Sequence, residues 1–246
     1  MSPQPKKRKC IRIRHKHDES RIPGLREKML ADNVDDLELE KVFKDLSQLE
    51  DYTFLKRLSI LGIKRGIKAI SKLDALAHLS LWQLTALDTA WLVEMPNLEE
   101  LCFHTVQFKT FNLPQPTSKL NVLNLNLCKG LPEHLDLSSL TNLESLTVED
   151  CGQIQSFSDC TRLVELREVF VSNLRDLSSL DGIATAPNLE TITIQNTPNL
   201  TVAHVAWMVD HPTLKKVYPA LKAEHDAPIL QEVSKVLAPR FGDVFS

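Results

Sequence analysis

Five cysteines and eight histidines are the side chains of this 246-residue chain best suited to nucleophilic, acid–base or metal chemistry. Cys102 and His104 lie two residues apart, with His78 upstream. A thiol becomes a useful nucleophile when an imidazole takes its proton, so these are the residue types of a Cys–His pair. Near the N-terminus, His15-x-His17 with Asp18 and Cys10 has donors that would hold a metal adventitiously. Neither group is accompanied by the rest of a site. No GxSxG, GxxxxGKS/T, HExxH or GxGxxG occurs, and seven glycines are too few to suggest phosphate-cradling loops. The expectation is no enzyme, no metal and no cofactor. Cys10, Cys102, Cys128, Cys151 and Cys160 are odd in number, scattered and without a CxxC pair. That points to a reducing, cytoplasmic compartment and away from a disulfide framework or zinc site. One Asn-Leu-Thr sequon at Asn199 points the other way.

Charge divides the chain. Residues 1–21 carry a net +6 and the remainder a net −9. The acidic body is a poor candidate for gripping phosphate backbones, which needs clustered positive charge. The basic stretch KKRKCIRIRHK at 6–16 lacks the apolar core of a secretory signal, and no apolar run approaches a membrane span. Residues 1–22 are expected to be a disordered basic tail. Three other uses stay open for it: a nuclear-import or nucleic-acid patch, attraction to an anionic membrane surface, or an edge strand, because Ile11 and Ile13 alternate with Arg12 and Arg14.

The elements that would position these residues come from a repeat. LNVLNLNLC at 120–128 has apolar side chains at positions one, four, six and nine, as does LESLTVEDC at 143–151. The template starts at 34, 55, 76, 98, 120, 143, 166 and 189, in steps of 21 to 23 residues. So regular a step is the mark of a stacked solenoid. Positions four and six share one face of a short strand. Positions one and nine lie where the chain bends into and out of it. One coil cannot bury such a face alone, so neighbours stack and their strands pair in a parallel sheet.

The pattern L-x-x-L-x-L-x-x-C at this period resembles the leucine-rich repeat superfamily, over roughly residues 34 to 221. Pro96-Asn97-Leu98, Thr141-Asn142-Leu143 and Pro187-Asn188-Leu189 add to the likeness. The resemblance implies an α/β solenoid, or horseshoe. A parallel β-sheet forms its concave face, and irregular segments and short helices its convex face. The family usually has Asn or Cys at position nine. Cys128 and Cys151 fit, while Val42, Ile63, Leu84, Val106 and Leu174 do not, which puts an asparagine ladder in doubt but not the stacking. Cys128 and Cys151 read as small buried hydrophobes. AWLVEMPNL at 90–98 and AWMVDHPTL at 206–214 duplicate each other, so Trp91 and Trp207 are expected to pack outer helices. Pro114 and Pro116 predict an irregular coil.

The ends need capping. Residues 23–33 are expected to form a short N-terminal cap. Residues 34–221 hold eight repeats and a partial ninth, broken by Pro219, and 222–246 a helical C-terminal cap. Ile229, Leu230, Val233, Val236 and Leu237 recur there at helical spacing.

Positions three, five, seven and eight then build the concave face, where a partner has access. His78, Trp82, Cys102 and His104 should make one aromatic-rich cluster on it, with Arg57 and Leu61 beside it, and Asn124 belongs to the same partner-binding face. Phe170 stands four coils from Trp82, roughly 19 Å along the stack, and Tyr218 lies further out. Exposed Trp, Tyr and Arg are enriched where interfaces concentrate their binding energy. The reading is a non-catalytic, monomeric scaffold that binds a protein or peptide there. Two alternatives rest on fold analogy or on the tail: a secreted effector or toxin-immunity protein, delivered into a foreign cell in the first case, and a nuclear or nucleic-acid adaptor.

Overall fold

The protein is described by a computed structural model covering residues 9–14, 23–41, 45–114, 119–220 and 227–242. Its centre is a ten-stranded, all-parallel sheet. The strands are β1 (Ile11–Ile13), β2 (Asp36–Glu40), β3 (Arg57–Leu61), β4 (His78–Trp82), β5 (Glu100–His104), β6 (Val122–Asn126), β7 (Ser145–Glu149), β8 (Glu168–Ser172), β9 (Thr191–Gln195) and β10 (Lys216–Ala220). They lie side by side in chain order, in the arrangement expected of stacked coils. Register is strict. Leu58, Leu79, Leu101 and Leu123 face one another at position four, and Ile60, Leu81, Phe103 and Leu125 at position six. These side chains are at most 2% exposed, and the residues between them look outward from the core.

Backbone bonds repeat with the same period. The carbonyl of position two in each coil accepts from two successive N–H groups of the next, as Ala77 does from Glu99 and Glu100, and Asn121 from Glu144 and Ser145. Position eight donates one bond beyond the strand, for example from Thr105 to the Asn126 carbonyl and from Asp150 to the Ser172 carbonyl. It then turns the chain sharply. Lys41, Gln83, Thr105, Leu127, Asp150, Asn173 and Asn196 all have positive φ there, and Gly62 fills the same place in the second coil. Position eight therefore forms the turn edge of the solenoid rather than part of the sheet face, which corrects the sequence reading.

Convex segments are short. They include short 3-10 helices at Leu46–Leu49, Ile67–Lys72, Ala90–Glu94 and Ala206–Val209, and one-turn α-helices at Asp181–Ala184 and Val202–Val205. Trp91 and Trp207 occupy matching places in them, and each indole N–H donates to the carbonyl three residues back. The asparagines of the Pro-Asn-Leu tripeptides tie coils together: Asn97 donates to the Asp74 carbonyl and Asn188 to the Val164 carbonyl.

Both ends differ in detail from expectation. Ile11–Ile13 is a strand in register with Leu37–Leu39, so at these residues the disordered-tail reading is corrected. Its alternation is the cause: Ile11 and Ile13 turn into the core, while Arg12 and Arg14 turn out to meet carboxylates. Residues 1–8 and 15–22 of the tail, including His15, His17 and Asp18, lie outside the described residues, as do Val42 and Pro116. Helix Leu25–Ala31 buries Leu25 and Met29 against the first coil. At the other end, β10 runs its full five residues through Pro219, in register with Ile194, so the strand of the partial ninth coil is complete. Helix Ala227–Phe241 follows, with Val233 and Leu237 fully buried. Arg240 near its end donates to the carbonyls of Met208, Val209 and Leu214.

Candidate functional site

Strands β3 to β6 bring Arg57, His78, Trp82, Cys102, His104 and Asn124 together on the open face. Strict register makes this so: Arg57, His78 and Glu100 are paired neighbours at position three, Ser80, Cys102 and Asn124 at position five, and Leu61, Trp82 and His104 at position seven.

Position three holds a fixed polar chain. Arg57 Nη2 donates to His78 Nε2 at 2.8 Å, and His78 Nδ1 donates to Glu100 Oε2 at 2.8 Å. Both imidazole nitrogens are thereby used, and the arrangement suits the neutral ring with its proton on Nδ1. The Glu100 carboxylate also receives the Cys102 thiol, 3.6 Å from Oε1, and Cys102 in turn accepts from Asn124 Nδ2 at 3.1 Å. Donors from both sides thus converge on Glu100. Burial pushes the Cys102 thiol above its ordinary pKa, and its bonds go to a carboxylate and an amide rather than to a histidine. A thiol so held is a poor nucleophile at neutral pH. The residue types of a Cys–His pair are present, but their hydrogen bonds serve to position Glu100.

Position seven holds the aromatic part. Trp82 and His104 rings sit 4.4 Å apart between centroids at 40°. Trp82 is 38% exposed although it stands in a regular strand of a well-packed sheet. Between it and Glu40 lies a slot of about 330 Å³, lined by Glu38, Glu40, Ser59, Ile60, Leu61 and Trp82. A second concavity of about 320 Å³ opens over Arg57, His78 and Glu100 and reaches Cys10 and Arg12. The acids at its N-terminal side are engaged: Arg12 Nε lies 2.7 Å from Glu38 Oε2, and Arg14 meets both Glu38 and, at 3.1 Å, Glu40. Cys10 sits beside Asp36, and burial, helped by that carboxylate, pushes its thiol up to about 11.

Phe170 and Tyr218 are not part of this group. Phe170 is half-buried between Thr147 and Thr193, and Tyr218 is 45% exposed beyond Thr193. The roles of Glu38, Glu40 and Glu100 as anchors for their neighbours were missed in the sequence. The repeat gave their column, but pairing depends on side-chain geometry across strands. A larger concavity, about 680 Å³, lies elsewhere, along the turn edge between Leu127 and Pro198. Cys128 and Cys151 are buried, as expected of small hydrophobes, and Cys160 is buried as well.

No protein-family model matches the sequence, and no curated protein matches it. Among solved structures, the fold is similar to that of an internalin, inlF, from Listeria monocytogenes str. 4b F2365, with a TM-score of 0.54 and 20% identity over 87% of this chain and 68% of that one. Internalin C2 from the same strain gives a TM-score of 0.45 with 24% identity, over 66% of this chain and 69% of that one. At this identity the first likeness establishes the architecture alone.

Proposed function

We propose that this chain, a leucine-rich-repeat solenoid in both sequence pattern and fold, is a non-catalytic docking module that receives a protein or peptide on its concave sheet face. One observation carries the reading: a tryptophan stands exposed on the sheet face, braced by the His104 ring, where the core makes no demand on it. Burying a large aromatic side chain releases more apolar area than burying any other type, and such residues dominate interface energetics. Fixed neighbours help, because a surface already ordered loses little entropy on binding. The use of Arg12 and Arg14 on Glu38 and Glu40 favours this reading over a nucleic-acid role for those two arginines. The odd, scattered cysteines support a cytoplasmic setting.

The test is affinity capture with the wild-type chain against Trp82→Ala, His104→Ala and a Trp82/Phe170 double alanine variant. Trp82→Ala and His104→Ala should weaken capture of the wild-type partner while leaving the thermal midpoint nearly unchanged. If both substitutions melt the fold, these rings are structural and the docking face lies elsewhere. Loss in the double variant beyond that in Trp82→Ala would extend the footprint four coils, to Phe170.

A further inference from the structure

Resting on the docking reading, we propose that the slot beside Trp82 is a subsite for a single cationic side chain, Lys or Arg, presented by the partner. Register builds it. Glu40, Leu61 and Trp82 are direct neighbours at position seven of β2, β3 and β4. Leu61 is therefore the floor, and Glu40 and Trp82 are walls about 10 Å apart from backbone to backbone, twice the strand spacing. That gap, less the two walls, takes one side chain and leaves an aliphatic stem lying on Leu61.

The chemistry of the walls selects charge. An indole presents a negative face that attracts ammonium and guanidinium groups. Glu40 faces it with a carboxylate whose Oε1 lies 3.1 Å from Arg14 Nε, and no hydrogen bond among the described residues goes to Oε2. Glu38 is different: Oε2 takes Arg12 and Oε1 takes Arg14. The slot is lined by two carboxylates, Glu38 and Glu40, and by no cationic side chain among the described residues; Arg12 and Arg14 meet these acids from outside the lining. An anionic side chain would meet Glu40 in repulsion. An aliphatic one would cover Trp82 but strip water from a carboxylate without replacing its bonds. A cation with a stem satisfies floor and both walls together.

The experiment uses the full chain and four probes: the N-acetyl methylamides of arginine, lysine, leucine and glutamate. The readout is the Trp82 indole N–H resonance, identified by its loss in Trp82→Phe. Arginine and lysine probes should move it, leucine and glutamate probes should not, and added salt should weaken the first two. Glu40→Gln should reduce affinity for the cations about tenfold. Arg14→Gln, which removes the cation facing Glu40, should raise it two- to threefold; damage to the fold would not produce opposite signs. Equal response to leucine and arginine, or no change in Glu40→Gln, overturns the subsite. If a captured partner is lost in Trp82→Ala yet bound equally by Glu40→Gln at any salt, docking stands and the cation subsite falls.

Discussion

Thr105→Asn should stabilise this protein by about 1 kcal/mol. Thr105 holds position eight of its coil with φ 56°, a left-handed conformation. An L-residue there brings Cβ against the following carbonyl, at roughly 1–2 kcal/mol, and a β-branched side chain has the least room to relieve it. Asparagine adopts this region readily, and it does so at the same place in two later coils: Asn173 has φ 55° and Asn196 φ 47°. Thr105 is exposed, so its replacement forfeits little packing. Its N–H bond to the Asn126 carbonyl is retained. Glycine should gain less, about 0.5 kcal/mol, because it loses more backbone entropy on folding. The converse substitution lies two coils away. Gly62 has φ +70°, and a Cβ built there would lie 2.9 Å from Cε of Lys41, a flexible side chain that can swing aside. Gly62→Ala should therefore cost only the backbone term, about 1–2 kcal/mol. For a chain of this length each kcal/mol moves the thermal midpoint by about 2–4 °C. Calorimetry or urea titration of Thr105→Asn, Thr105→Gly, Thr105→Val and Gly62→Ala reads all four. If Thr105→Val stabilises as much as Thr105→Asn, or if Asn and Gly are both neutral, backbone strain at position eight is not what the substitution relieves.

Leu125→Ala should destabilise by about 2–5 kcal/mol in the same assays, because Leu125 is fully buried between Phe103 and Val148 in coils whose spacing the ladder holds fixed. Acid should weaken the convex side. Bonds from nearby N–H and hydroxyl groups hold the carboxyls of Asp45, Asp88, Asp136 and Asp159 below their ordinary range. A lowered folded-state pKa gives stability that is present above the ordinary carboxylate range and is lost as pH falls through the folded values. The thermal midpoint should thus drop below about pH 4, with a shallower drop in Asp136→Asn. Thiol alkylation at pH 8 should be slow in the native chain and complete for all five cysteines in urea. Burial pushes Cys160 up to about 12 and, with Asp36, Cys10 up to about 11. Rapid native labelling of Cys128, Cys151 or Cys160 would contradict their burial.

What the sequence revealed follows from what each residue must satisfy by itself. Leu58, Leu101 and Ile192 were legible because a core position tolerates only apolar side chains, and the period repeats that demand eight times. The opening asparagines were legible as a motif, though not their task of reaching the preceding coil's carbonyl. Strand β1 was ambiguous because three residues offer a single alternation, and the flanking charges match those of a solvated arm. The left-handed turn column left a mixed trace. Gly62, Asp150, Asn173 and Asn196 are types that favour it, but Leu127, Thr105, Gln83 and Lys41 conceal it. For the candidate site, register placed Arg57, His78 and Glu100 side by side correctly. Which nitrogen meets which oxygen depends on rotamers across three strands, and spacing carries no information about those.

The two halves of the sheet face differ in a way that bears on how binding energy would be distributed. Over β1 to β6 the outward charges are tied to one another: Arg12 and Arg14 to the acids of β2, Arg57 through His78 to Glu100, and Cys102 and Asn124 onto the same carboxylate. A partner arriving there meets side chains that have already given up their rotamer freedom, so little further ordering opposes contact with Trp82. Over β8 to β10, Phe170 and Tyr218 are separated by Thr193, with no ring among the described residues packed on either. Each would have to be ordered by the partner itself. Aromatic composition alone would rank the two halves alike; preorganisation ranks the Trp82 half first, and the proposed cation subsite would add a contribution from the Glu40 carboxylate beside Trp82.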